Sequence, residues 1–417
     1  MKNKKIFFFG TVFILTVVYL FLRLNKFEER TTYHLDQGLH LLESWEMVKN
    51  RDIRLIGPMV SSKMFMDRGF FIGPQYYYVL GFLGIITKWN PILIDVILLV
   101  IELGFILYWV NWIREKYGIS EALMVFGLLT FSRYFIIHSR FFWNPHFLLS
   151  LGILAMISLV KYIETSKIKY LWFLSGLWGL AFSFHYAAIF WGLPILILLL
   201  INKIFWKKQT FIVLPLGFIL GDLPWFIFEL RNNFYNIKTI WWVMSQAKSS
   251  SRMEPHYFVY PLVIFAIMAL VWGLNKISKE KKKIALAIIL IITISWFQLE
   301  VIKDYIPLEH PHGWTYKMAE EVVDKILVNN CPVNFNVAST TSGDTRAYDL
   351  RFLLTRSGCQ PMNVDKYPEA KTLFLVAPEN RLPETETVWE VSSLGKFEIK
   401  REENLSETIK FYELIRL

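Results

Sequence analysis

Charge is scarce in this chain. Only 19% of its 417 residues are Asp, Glu, Lys or Arg, where a soluble globular domain carries about 25%. That shortage argues against an ordinary water-soluble enzyme and against a disordered chain. Cysteine is scarcer still, with two residues, which excludes a disulfide-dense scaffold. No GxxxxGK[ST] or GxGxxG segment occurs, so no phosphate-cradling loop is visible. No HxxxH or CxxC spacing occurs, so no protein-built metal site is read. No internal repeat is seen. What the chain has in abundance is apolar surface: 54% hydrophobic and 17% aromatic residues, with a mean hydropathy of +0.37. The class that remains is a polytopic membrane protein.

A net charge of +10 invites a nucleic-acid reading, but its distribution argues for none. Residues 303–417 hold 14 basic and 18 acidic residues, which leaves 31 basic and 17 acidic for residues 1–302. The charged fraction is 28% in the tail and 16% before it. The expectation is therefore a membrane domain over 1–302 and a soluble domain over 303–417, with the boundary near Val301–Lys303. The basic excess of the first part sits in short clusters between apolar runs, as cytoplasmic loops do at a bilayer.

A bilayer core needs about 20 apolar residues per helix. Candidate spans are 6–24, 91–112, 120–137, 143–161, 170–185, 187–205, 210–230, 257–274 and 284–301. The run 73–87 is short and opens with Gly73-Pro74. If it does not span, the loops on the amino-terminal side carry 13 basic residues against 5 on the other, the bias expected with the N-terminus inside. The reading is about nine spans with a juxtamembrane helix at 73–87. The N-terminus is then cytoplasmic, and the loop 25–90 and the tail lie outside a plasma membrane. All eight histidines then fall at or near the outer face.

Loop 25–90 is long for a connection, and such loops carry structure or function of their own. After Tyr33-His34-Leu35-Asp36-Gln37-Gly38, residues Leu39, Leu42, Trp45 and Val48 recur at helical spacing. They predict an amphipathic helix on the membrane surface. Asp36 sits where its N-cap would be, so capping is the plain alternative to a chemical role. Gly69-Phe70-Phe71-Ile72-Gly73-Pro74-Gln75-Tyr76-Tyr77-Tyr78 follows.

Asp36-Gln37, the Pro-aromatic stretch from Gly73, His138-Ser139-Arg140-Phe141-Phe142-Trp143-Asn144-Pro145, His185-Tyr186 and Phe228-Glu229-Leu230-Arg231-Asn232-Asn233-Phe234 occur in that order. Together they resemble the polytopic glycosyltransferases of the GT-C fold, the group of protein O-mannosyltransferases and the lipid A aminoarabinose transferase. The chain departs from them at Gln37, where many relatives have a second acid, and at Gly73, where many have a lysine. The resemblance implies transfer of a sugar, with inversion, from a polyprenyl-phosphate donor to a lipid, glycan or protein acceptor hydroxyl at the outer membrane face. It puts Asp36 in the role of general base and allows a divalent metal. Arg140 is the leading phosphate candidate, because a guanidinium fork suits phosphate oxygens; the alternative is snorkelling. Arg231, His185, Tyr76 and Glu229 complete the candidates for the lipid phosphate or substrate. His185 could instead cap a tight turn, and Glu229, like Asp95, Glu102 and Asp222, could serve only a structural hydrogen bond.

In the tail, Trp314–Leu327 and Thr345–Thr355 read as helices, and Asn334–Ala338, Thr372–Val376, Phe397–Lys400 and Ile409–Leu414 as strands, a small α/β domain. Cys331 and Cys359 are either a disulfide or two buried thiols. The rival functional readings are a transporter or flippase of polyprenyl-linked glycans and a membrane sensor.

Overall fold

The computed structural model describes residues 2–31, 33–60, 69–203, 206–246, 256–277, 280–282, 284–286, 288–289, 313–328 and 330–417. The expected span 284–301 and the boundary at Val301–Lys303 lie largely or wholly outside these residues.

Among the described residues up to 277 most are helical, and fourteen α-helices follow in order: α1 (Lys2–Leu24), α2 (Phe27–Arg30), α3 (Leu35–Asn50), α4 (Gln75–Thr87), α5 (Pro91–Lys116), α6 (Ile119–Phe131), α7 (Arg133–His138), α8 (Phe147–Thr165), α9 (Ile168–Phe184), α10 (Gly192–Ile201), α11 (Lys208–Gly221), α12 (Leu223–Arg231), α13 (Tyr235–Gln246) and α14 (His256–Lys276). Among the described residues three helices are long and apolar enough to cross a membrane singly: Asn3–Leu24, Pro91–Lys116 and Asn144–Thr165. The expected span 210–230 is instead two helices, α11 and α12, bent by 84° at Asp222. Pro224 in the first turn of α12 explains the break, because proline fits a helix start but not its interior. The juxtamembrane segment forms α4, 13 residues long, about 20 Å at 1.5 Å per residue.

The chain divides into two compact units: 1–20 with 47–82 and 96–298, and 21–46 with 83–95 and 299–417. In the first, α9 packs on both α8 and α11. Small residues let α9 and α11 approach: a Cβ on Gly179 would meet the Phe218 carbonyl oxygen at 2.0 Å, and one on Gly221 the Gly176 oxygen at 2.2 Å. Helices without a water-driven hydrophobic force associate through such close backbone contact. A two-stranded ribbon, β1 (Met59–Val60) with β2 (Phe70–Phe71), lies in the same unit.

The second unit holds α15 (Tyr316–Leu327), α16 (Tyr348–Arg356), the short α17 (Trp389–Ser392), and a sheet of order β3-β4-β6-β5. Its strands are β3 (Phe335–Ser339), β4 (Thr372–Pro378), β5 (Phe397–Asn404) and β6 (Ile409–Arg416). β3 pairs parallel with β4, and the other pairs are antiparallel. β3 is buried throughout, whereas β5 alternates half-buried and exposed residues, as an edge strand with one wet face should. Leu373, Leu375, Tyr412 and Leu414 form the core with Tyr367 and Val391. Arg351 is buried among them; its guanidinium donates to the carbonyls of Arg346 (2.7 Å) and Met362 (2.7 Å), to Tyr367 (2.8 Å) and to Asn336. The two cysteines form a disulfide, with Cα atoms 5.4 Å apart. Closing a loop of that length stabilises the fold by about 3.5 kcal/mol in the chain-entropy account.

Candidate functional site

Asp36 lies in the first turn of α3, in the second unit. The helix starts at Leu35, so Asp36 is its second residue and not the N-cap. The capping work falls on Gln37, whose Oε1 accepts from the His34 backbone N–H at 3.3 Å, the reach-back half of a capping box. Asp36 is half-buried, and its negative charge suits the positive end of the helix. His40, one turn on, is buried, and burial pushes its imidazole down from the ordinary range against the pull of Asp36 and Glu43.

The tail builds the surroundings of this turn. A Cβ on Gly38 would lie 2.3 Å from the Asp349 nitrogen and 2.4 Å from the Tyr348 carbonyl carbon, so only glycine lets the amino end of α16 rest there. Asp349 is buried and accepts from the Trp314 indole at 2.8 Å. Burial pushes its carboxyl up, opposed by the Leu350 N–H, the Trp314 bond and the nearby His34. His34, Trp314, Ser342, Asp344, Tyr348 and Asp349 line a small cleft. The sequence gives no local cue to this: Trp314 and Asp349 are joined to the loop by contacts some 300 residues apart.

The other candidates belong to the first unit. Arg140 is 1% exposed, so snorkelling to water does not describe it. It follows α7 in a segment whose histidines lie against tyrosine rings: His138 stacks on Tyr134 with centroids 4.1 Å apart, and His146 is tilted against Tyr260 at 4.8 Å. Asn144 donates to the Phe184 carbonyl at 2.8 Å, and Phe184 stacks on Phe147 at 4.4 Å. Tyr76 is fully buried and meets Phe147 edge-on at 5.9 Å. Through Phe147 and Phe184, the segments of Tyr76, Arg140 and His185 come together. His185 Nδ1 accepts from the Ala187 N–H at 3.1 Å, so it caps the 3-10 turn Tyr186–Trp191, the plainer of its two readings.

Arg231 and Glu229 form a separate group. Arg231 is exposed in the last turn of α12, where a cation suits the helix end. Glu229 is 1% exposed, and its two oxygens accept from the backbone N–H groups of Asn236 and Ile237, each at 3.0 Å. Its carboxylate therefore caps α13. Asn236 in turn accepts from the Phe71 N–H at 2.7 Å, and the Trp225 indole donates to the Phe71 carbonyl at 2.8 Å. Of the other acids, Glu102 accepts from the Tyr19 hydroxyl at 3.1 Å. Among the described residues no group of three or more His, Cys, Asp or Glu side chains could hold a metal ion. No step below passes through a divalent ion.

No family model and no curated protein matches the sequence. The fold does have a solved counterpart. A crystal structure of ArnT from Cupriavidus metallidurans, bound to undecaprenyl phosphate, superposes with a TM-score of 0.58 at 12% identity, over 96% of this chain and 97% of that one. The chain has the GT-C-like polytopic membrane fold, with an α/β region at its carboxyl end.

Proposed function

We propose that this protein is an inverting glycosyltransferase that moves a sugar from a polyprenyl phosphate to an acceptor hydroxyl, with Asp36 as general base. The likeness to a structure holding undecaprenyl phosphate supports the donor class. The observation that carries the catalytic assignment is the place of Asp36: it is half-buried in the first turn of α3, one residue before Gln37, whose Oε1 accepts from the His34 N–H. A carboxylate so placed takes the proton of the acceptor hydroxyl. The acceptor oxygen then bonds to the anomeric carbon from the face opposite the phosphate. The carbon–oxygen bond to the phosphate breaks, and the polyprenyl phosphate leaves with the electron pair.

The lipid phosphate needs a cation held away from water, where its pull is strongest. Arg140, buried in the aromatic segment, fills that role in this reading. Tyr76 and His185 shape the same wall, and Arg231 serves as an exposed cation. Glu229 acts indirectly, by fixing α13. The N-terminus is cytoplasmic and the tail extracytoplasmic, in a multi-pass plasma-membrane protein, so acceptor and donor meet at the outer interface.

The test is incubation of the purified protein in lipid with a panel of polyprenyl-phosphate sugars. Consumption of one member with release of polyprenyl phosphate is expected. Movement of intact donor across the bilayer without cleavage would replace the transferase by a flippase.

A further inference from the structure

Asp222 is 0% exposed and sits at the break between α11 and α12, where neither helix uses its side chain as a cap. The groups that face it are the Ser183 hydroxyl, from the last turn of α9, and the Gln75 side chain, from the first residue of α4. Their oxygens converge. A Cβ built on Gly73 would lie 1.8 Å from Ser183 Oγ, 2.3 Å from Asp222 Oδ1 and 2.7 Å from Gln75 Oε1. Three oxygens from three elements thus lie close together beside Gly73, whose lack of a side chain leaves them room. Both Asp222 oxygens, Ser183 Oγ and Gln75 Oε1 are buried without a hydrogen bond of ordinary geometry. Ser183, like Asp222, is fully buried.

We propose that Asp222, Ser183 and Gln75 form a buried site for one monovalent hard cation of the sodium class. A bare carboxylate in such a place is costly. The Ser183 O–H and the Gln75 NH2 can each turn toward the carboxylate, but neither neutralises its charge. An oxygen-seeking cation engages all of them at once. The charge selects the valence: one carboxylate neutralises a single positive charge, whereas a divalent ion would leave a net charge buried. Helix ends do not alter this choice. The carboxyl ends of α9 and α11 and the amino ends of α4 and α12 all meet here, so their fields largely cancel. Broken helices whose unwound backbone and end groups hold a cation are a recurrent membrane-protein arrangement. The site joins three elements, so the ion clamps α4 and the α11–α12 bend onto α9.

The test is thermal unfolding of the full-length protein in lipid, in sodium chloride against choline chloride at constant ionic strength. A ligand that binds only the folded state raises Tm saturably. Sodium should raise Tm by about 3 °C or more between trace and 150 mM, and choline should not. Asp222→Asn should abolish the dependence. Should Asp222→Asn fail to fold, Ser183→Ala gives the reading: its half-saturating sodium concentration should rise about tenfold, on the scale of a lost ligand contact. Equal effects of sodium and choline, saturation by magnesium or calcium in place of sodium, or an unaltered sodium response in Ser183→Ala would each overturn the proposal.

Discussion

The amino ends of α3 and α13 each have a carboxylate close by, and the two are used in opposite ways. At α13 the acid comes from the preceding helix. Glu229 is swallowed whole, both oxygens bonded to the backbone N–H groups of Asn236 and Ile237. At α3 the acid lies inside the turn, the neighbouring amide of Gln37 makes the backbone bond, and Asp36 remains half-buried. A carboxylate whose oxygens are filled by backbone donors holds a structure together. Asp36, half-buried in the first turn of α3, is the acid to which this reading gives the chemistry. Residue type does not separate the two cases.

The comparison can be broken by exchanging the readouts. Asp36→Asn keeps the shape and removes the base; turnover should fall about 10²–10⁴-fold, the range of a lost general base, with little change in Tm. Glu229→Ala should do the reverse. Losing two bonds to a charged acceptor costs about 3 kcal/mol, read by denaturant or thermal unfolding, while turnover per folded molecule changes little. A large loss of turnover in folded Glu229→Ala would place that acid in the chemistry.

His40 sharpens the α3 side. Burial pushes its imidazole below the ordinary range in the fold, so the unfolded chain binds the extra proton first as pH falls. Stability attributable to His40 is present above the ordinary imidazole value, about 6.5, and is lost as pH drops below it. His40→Gln should flatten unfolding free energy against pH as the pH falls below about 6.5; an unchanged slope would assign the acid sensitivity to another group. The smallest effect expected is that of Gln37→Ala, about 0.5–1 kcal/mol for one partner of a capping box, measured by the same unfolding assay.

Legibility in the sequence followed the range of the interaction. The tail strands were expected to within a few residues, because alternation and apolar runs are local: Asn334–Ala338 appears as Phe335–Ser339, and Ile409–Leu414 as Ile409–Arg416. The helix at Leu39–Val48 was expected for the same reason. Its start was misplaced by a residue or two, which puts Asp36 inside the first turn and Gln37 at the reach-back position. The α11–α12 bend had a signal, Asp222 followed two residues later by Pro224, but the surrounding apolar run masked it. The role of Glu229 was open because its donors follow a turn in which Asn233 and Phe234 both have positive φ, 53° and 60°. The cysteine pair was undecided by counting, and only distance joins Cys331 to Cys359. The packing of Gly38 against Asp349 had no sequence signal at all.

The account rests on the proton that leaves the acceptor hydroxyl. Its most direct test is the pH dependence of the single-turnover rate, measured for the wild type and for Asp36→Asn with donor saturating. The wild type should show an acid limb on which the rate falls as the base is protonated, and the variant should be slow and flat across the same range. An acid limb that survives unchanged in Asp36→Asn would mean that another group takes the proton.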